Sequence, residues 1–286
     1  MTSVKILIRT MSILKNPFAI LSLKLRKKPS KVTFSNGTVF QITWPQFRSL
    51  RDSYELVKKY RLQQISDEIF KITINSYQLI GSQTLMHTME EMGSGVYEYN
   101  YQDKVVLDIG GFEGDSAVFF WSKGAKKIVI YEPVLEHHPY IHENIRLNNI
   151  NAEVHAKGIG TKDDEIVVTY DKADNCFGLK TKKTTNKNKM KIKIKNVTHA
   201  IVESGADIAK IDCEGAEIAL ITVSNEILRK LEYIIIEVHT TQIRQQLIEK
   251  FKSAGFTMDR YHDGDNDNEI SMAYFKRIPE ADLSVL

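Results

Sequence analysis

From residue 105 onward, apolar positions fall in short continuous runs separated by stretches of helical period. That alternation is expected of strands buried on both faces and joined by helices. Val105, Val106, Leu107 and Ile109 form the first run, with Asp108 near its end. A helix to about Ser122 follows, which Asp115 or Ser116 can cap. The second run, Ile128-Val129-Ile130-Tyr131, ends on Glu132-Pro133. The spacing then predicts a helix over about 135–148 and a short strand over 153–156 leading into Lys157-Gly158-Ile159-Gly160. Further strands are predicted over 206–212 and 233–239, with a helix starting at 213–217 and another ending near Ala254. Residues 255–261 and 270–276 close the chain as two strands with no helix between them, so the last strand runs antiparallel. The rhythm breaks once. Residues 166–170 and 190–195 alternate at strand period, which predicts a hairpin inserted near 165–195.

The first part of the chain has a different pattern. Residues 4–28 mix Ile, Leu, Met and Phe with Lys and Arg, and predict one or two amphipathic helices interrupted at Pro17. Such a segment can lie in a membrane interface, or pack on the body with its basic face in water. Residues 33–40 read as a hairpin whose Asn36-Gly37 suits a tight primed turn. Helix is predicted over about 46–60, strand over 68–74, and helix over 79–92 until Gly93-Ser94-Gly95 breaks it. Tyr97 and Tyr99, just before the first apolar run, either line a ligand mouth or pack. The division expected is a basic α+β accessory region over 1–95, then a doubly wound α/β domain over 96–286 carrying the hairpin.

Charge sharpens this division. Residues 1–51 carry ten Lys/Arg and no acid, while the remainder carries 29 Lys/Arg against 36 Asp/Glu. A basic, apolar arm on a mildly acidic body suits peripheral contact with an anionic surface. Residues 180–195 hold eight lysines and no acid, but no aromatics interleave them for base stacking, so a nucleic-acid partner is not favoured. Cys176 and Cys213 have neither metal-ligand spacing nor a disulfide framework, which points to a reducing compartment. No apolar run approaches membrane-span length. The expectation is a cytoplasmic protein whose residues 1–28 can reach the inner membrane face.

The chemistry gathers where strands end. In open α/β sheets, ligands bind beyond the carboxyl ends of the strands, and Asp108, Glu132, Asp212 and His239 all fall there. The first strand runs into Asp108-Ile109-Gly110-Gly111-Phe112-Glu113-Gly114-Asp115-Ser116, a bend where a ligand can approach the main chain closely. Glu132, 24 residues after Asp108, is placed to hold a ribose diol. The pattern is not the dinucleotide G-x-G-x-x-G, and the carboxylates of Asp108 and Asp115 would repel a pyrophosphate. They favour a cationic ligand such as S-adenosylmethionine. The same turn can also exist without a ligand. Gly158, at the third strand end, offers backbone contacts. Asp212 could equally cap a helix, Glu217 could be an ordinary first-turn acid, and His239 could anchor a loop.

Several segments together resemble the FkbM family of S-adenosylmethionine-dependent methyltransferases. They are Leu107 to Ser116, Tyr131-Glu132-Pro133, Asn144 to Asn149, Lys210-Ile211-Asp212-Cys213-Glu214-Gly215-Ala216-Glu217 and Ile236-Glu237-Val238-His239. The likeness covers about 96–277, and the run from Lys210 to Glu217 is its most specific part. The chain departs from the family pattern at Gly111-Phe112, and at Val197-Thr198-His199-Ala200, where an acid pair is missing. The resemblance implies a seven-stranded Rossmann-like methyltransferase sheet and O-methylation of a sugar, a glycan, a lipid-linked glycan or another small molecule. It implies cofactor contacts from Asp108, Gly110, Gly111, Phe112, Gly114, Asp115, Ser116, Glu132, Pro133, Gly158 and Asp212. Of these, Asp108 and Gly110 would face the methionine end and Glu132 the ribose. His239 is the expected general base, with Glu214 or Glu237 as alternatives and Asp212 for alignment. No metal is assigned: Asp212 and Glu214 could ligate one, but strand-end acids serve a cofactor equally well. An RNA methyltransferase and an inactive scaffold at a membrane surface are the competing readings.

Overall fold

A computed structural model describes residues 11–26, 28–52, 54, 58, 60–67, 69–74, 76–82, 95–170, 188–263 and 270–279. The chain divides into two compact units, Met1–Glu98 with Arg146–Asn148, and Tyr99–Ile145 with Asn149–Leu286.

In the first unit, helix α1 (Ala19–Arg26) is followed by a hairpin of β1 (Ser30–Thr33) and β2 (Val39–Ile42), then helix α2 (Trp44–Asp52). A three-stranded antiparallel meander follows: β3 (Arg61–Gln64), β4 (Ile69–Ile74) and β5 (Tyr77–Ser82). Alternate strand residues point inward. Val32, Phe40, Ile42, Phe70 and Ile72 are buried, and the Phe40 ring meets Phe34 and Phe70 edge to face.

Two expectations for this unit are corrected. The hairpin does not use a two-residue primed turn. Phe34 N–H donates to Thr38 O and Gly37 N–H to Phe34 O, giving a three-residue loop. A primed turn of the Asn-Gly type needs positive φ at both central residues, and only Gly37 (+91°) has it. The helix expected over 79–92 is strand where it is described, since β5 runs to Ser82 with Leu79 and Gly81 inward. Its remainder lies outside the described residues, as do the start of the arm at 4–10 and Lys180 to Lys187.

The second unit carries the seven-stranded sheet, built from β6 (Val105–Ile109), β7 (Lys127–Tyr131), β8 (Ala152–His155), β12 (Ile208–Ile211), β13 (Tyr233–Val238), β14 (Phe256–Asp263) and β15 (Ser271–Arg277). Their order is β14-β15-β13-β12-β6-β7-β8. The five strands from β13 to β8 are parallel, and β15 lies antiparallel between β13 and β14. The fold is α/β, Rossmann-like, with an antiparallel last strand. The chain winds outward from β6 through β7 to β8, then returns to β12 on the other side of β6. That reversal opens a crevice beyond the adjacent tips of β6 and β12.

Helices α3 (Asp115–Ser122) and α4 (His138–Asn148) connect the first three parallel strands. Strand β9 (Gly158–Gly160) pairs with β11 (Asn188–Asn196), which pairs with β10 (Asp164–Tyr170), so the expected hairpin forms a separate small sheet. Helix α5 (Val197–Ser204) follows, with Asn196 Oδ1 accepting from the N–H groups of Thr198 and His199. The helix expected after β12 is a 3-10 helix, Ala216–Thr222, and helix α6 (Asn225–Leu228) continues it. Helix α7 (Thr241–Ser253) leads into β14. Of the two tyrosines before β6, Tyr97 is buried, and Tyr99 stacks on Tyr233 at the opening residue of β13 (centroids 3.8 Å apart). That is the opposite edge of the sheet from the crevice, so Tyr99 packs and does not line a ligand mouth.

Candidate active site

Charged residues are rarely fully buried unless paired. Yet Asp108, Glu113, Asp115, Glu132, Lys210 and Glu217 are all buried in this unit. Most of them stand at the carboxyl ends of parallel strands or in the turns that follow.

Asp108 sits on β6 with Ser116 Oγ donating to its Oδ2 (2.5 Å). Its Oδ1 is buried and accepts no hydrogen bond among the described residues, with Lys210 Nζ 3.4 Å away. Lys210 is a buried lysine in the middle of β12. It donates to Gly110 O (2.5 Å) and lies 3.7 Å from Asp212 Oδ2. This ammonium joins the tips of the two strands at the crevice. Ser116 is therefore committed to Asp108, and neither it nor Asp115 caps α3. The cap position is Gly114, in the left-handed region with no side-chain bond.

The turn after β6 is tight. Gly110 has φ +83°, and a Cβ there would stand 1.7 Å from Asp212 O. At Gly111 a Cβ would meet Ile130 Cγ2 at 2.3 Å. Gly114 serves packing as well, since its Cβ would press on the Ile141 main chain of α4 at 3.2 Å. Phe112 adopts φ +43°, costly for a bulky residue and typical of strain held at functional sites. The loop is held there by Glu132, whose Oε2 accepts from Phe112 N–H (2.9 Å) and whose Oε1 accepts from Val134 N–H (2.8 Å). Glu132 thus ties the glycine turn to the end of β7. The Phe112 ring meets His137 edge to face at 4.6 Å. A Cβ on Gly158 would lie 3.8 Å from Pro133, so these two residues share one wall.

A second cluster stands past β12 and β13. Glu217 is fully buried. Its Oε1 accepts from His239 N–H (2.9 Å) and from His239 Nδ1 (3.1 Å), and its Oε2 from Gly215 N–H (2.7 Å). His239 Nε2 lies 3.5 Å from Glu214 Oε2 and 3.5 Å from Glu237 Oε1. Glu214 itself has φ +53°, in the left-handed region as Phe112 is. Burial alone would lower the His239 pKa. The bond to Glu217 and the charges of Glu217, Glu214 and Glu237 outweigh burial and raise it to about 9. Burial alone would raise Glu217, but the bond and charge of His239 hold its carboxyl below the usual range. His239, the expected general base, thus has Nδ1 committed to Glu217 and Nε2 turned toward Glu214 and Glu237.

The structure brings together the expected residues in two groups. Asp108, Gly110, Gly111, Phe112, Ser116, Glu132 and Pro133 surround the first turn, while Asp212, Glu214, Glu237 and His239 gather past β12 and β13. Two further residues, Lys210 and Glu217, tie these groups in place. The sequence alone offers Glu217 as no more than an ordinary first-turn acid and gives Lys210 no role of its own. A lysine inside the apolar run Ile208-Ala209-Lys210-Ile211 is a legible signal, because such a charge must be paired.

No curated protein matches the chain in sequence. Among solved structures, a putative S-adenosylmethionine-dependent methyltransferase from Streptococcus mutans is 14% identical, covering 74% of this chain and 56% of its own, with a TM-score of 0.45. Aeropyrum pernix fibrillarin with bound S-adenosylmethionine is 9% identical, covering 75% and 99%, with a TM-score of 0.42. A putative RNA methyltransferase from Pyrococcus horikoshii is 12% identical, covering 70% and 87%, with a TM-score of 0.42. The model of the methyltransferase FkbM domain matches residues 108–261, more than half of the chain and the whole of both clusters. The chain belongs to the FkbM family of methyltransferases, and its methyl donor is S-adenosylmethionine.

Proposed function

We propose that the chain methylates a hydroxyl group of a sugar, a glycan, a lipid-linked glycan or another small molecule. The observation that carries this reading is the cluster of Asp212, Glu214, Glu237 and His239 beside the glycine turn. An alcohol must be aligned and must lose its proton, and these groups can do both.

When bound, S-adenosylmethionine supplies a methyl carbon activated by a sulfonium. The residues present suit it. The open Oδ1 of Asp108 and the main chain at Gly110 are assigned to the methionine end. Gly111, Phe112, Gly114, Asp115 and Ser116 shape the loop. Glu132 is assigned to the ribose diol; the two N–H groups that fix its carboxylate leave lone pairs open. Pro133 and Gly158 are assigned to the wall near the adenine. Asp212 aligns the acceptor. His239 is anchored by Glu217 beside Glu214 and Glu237, and Glu214 accepts the hydroxyl proton.

The lysine strand lends RNA little support. Lys191 and Lys195 of β11 are paired with Glu165 and Glu203. The same reading keeps the chain cytoplasmic, with its basic arm available to the inner membrane face. Among the described residues no helix is long and apolar enough to cross a membrane. The test is a methyl-transfer assay with tritiated donor against cell extract separated into lipid, glycan, small-molecule and RNA fractions. Label in a glycan, lipid-linked or small-molecule fraction supports the reading, and label confined to RNA overturns it.

A further inference from the structure

Three side chains at neighbouring strand ends converge. Asp212 follows β12, Glu237 lies on β13 just before its last residue, and His239 follows β13. One ligand-type atom from each lies within 4.8 Å of the other two. The imidazole sets this group apart from an ordinary patch of acids. Both its main-chain N–H and its Nδ1 donate to the buried Glu217. The residue is therefore held at two points, main chain and ring, with Nδ1 committed. Its Nε2 faces the carboxylates of Glu237 and Glu214. A buried carboxylate on one ring nitrogen, with the other nitrogen facing oxygen donors, is how a histidine is prepared to ligate a metal ion.

We propose that Asp212, Glu237 and His239 bind one divalent cation of the Mn2+ class, and that the ion grips the acceptor through its hydroxyl and a neighbouring oxygen. This rests on the methyl-transfer reading above and narrows its substrate class. One imidazole nitrogen with two carboxylate oxygens suits a borderline first-row ion better than a soft one. Ligand atoms about 2.1 Å from one ion stand roughly 3–4 Å apart, so small rotations of Asp212 and Glu237 complete the set. Three protein ligands leave positions open for two oxygens of a substrate. A hydroxyl with an oxygen on the adjacent carbon, as in a sugar diol, fills two of them. The Asp212 main chain abuts Gly110, so the ion adjoins the turn assigned to the methionine end. An ion there acts as a Lewis acid on the hydroxyl. The acceptor oxygen bonds to the methyl carbon as the sulfur–methyl bond breaks. The sulfur keeps that electron pair, and the hydroxyl proton passes to Glu214, which lies outside the ligand set.

The test titrates Mn2+ into the full chain after stripping with EDTA and reads free ion by electron paramagnetic resonance. One ion per chain is expected. Asp212→Asn, Glu237→Gln and His239→Ala should each weaken binding at least tenfold. Glu217→Gln, which touches no ion, should weaken it about 10- to 100-fold while the circular dichroism spectrum stays unchanged. A wild-type chain that binds no Mn2+, or folded ligand variants that bind it as the wild type does, overturns the proposal. Calorimetric titration of S-adenosylmethionine in EDTA separates the two readings. A chain that binds the donor but no Mn2+ overturns the metal site alone. A chain that binds Mn2+ through these residues but no donor supports the site and overturns the methyl-transfer reading.

Discussion

Gly110 combines a φ of +83° with a main-chain oxygen lying where its Cβ would be. A non-glycine residue in that region costs about 1–2 kcal/mol before any collision is counted. The collision is with the tip of β12, which cannot move without shifting Asp212. Gly110→Ala should therefore lower S-adenosylmethionine affinity more than tenfold by calorimetry and lower the melting temperature as well. Unchanged affinity would separate this turn from the donor site. Lys210 makes a different case. Its ammonium stands between Asp108 and Asp212, and removing one partner of a buried pair costs about 3–5 kcal/mol. Lys210→Met should destabilise by that order in urea unfolding. Adding Asp108→Asn should cost less than the sum of the two single changes, because the carboxylate left unpaired is then neutral. Additive losses would show that the pair is not coupled. Asp108, Glu132, Asp212 and His239 were legible because each ends or follows an apolar run. What Lys210 and Glu217 touch was not, because those contacts depend on which strands become neighbours. Glu217 meets a residue 22 positions away, and Lys210 one 100 positions away.

Elements that bury two faces follow their sequence pattern, whereas the turn type at Asn36-Gly37 and the strand over 79–82 depart from it. The parallel strands announce themselves by continuous apolar runs, and a two-strand finish fixes the antiparallel direction of β15. Asn36-Gly37 marked a turn, but the turn type depends on φ at Asn36, and the pair is compatible with more than one type. Residues 79–82 carried a helical pattern yet joined β4, where pairing and inward packing of Leu79 override propensity. The start of α5 shows local chemistry that can be tested directly. Asn196 ends β11 and accepts from two N–H groups of α5, while its Nδ2 donates to Thr161 O and its main-chain N–H to Asp163. Losing an Asn cap costs about 1 kcal/mol, and the Thr161 bond adds to it. Asn196→Ala should lower unfolding stability by about 1–2 kcal/mol while donor affinity is kept, since no proposed contact involves it. A loss of affinity equal to the loss of stability would instead tie this junction to the crevice.

At the scale of the whole molecule, charge is divided more sharply than structure requires. Ten cations and no acid in residues 1–51 stand against an acidic remainder. The arm also uses its apolar residues in two ways. Ile13, Leu14 and Leu23 are buried in the first unit, whereas Phe18 is 82% exposed and Met11 is 55% exposed. Lys15, Lys24 and Lys28 are exposed as well. An exposed aromatic among cations is the pattern of an interfacial anchor, in which each lysine near an anionic surface contributes about 1 kcal/mol and the ring enters the headgroup boundary. Deleting residues 1–28 is a blunt test, because it also removes Leu23 and its neighbours from the core. Surface substitutions avoid that cost. The intact chain should sediment with phosphatidylserine-containing vesicles at low salt and release as the screening length shortens. Phe18→Asp should weaken this binding, and Lys15→Glu with Lys28→Glu should weaken it further and flatten its salt dependence. Neither change should move the melting temperature, since all three side chains face solvent. Sedimentation that is unchanged in these variants would leave the arm with a packing role alone. In that case the acceptor would be sought among soluble molecules and not at a membrane.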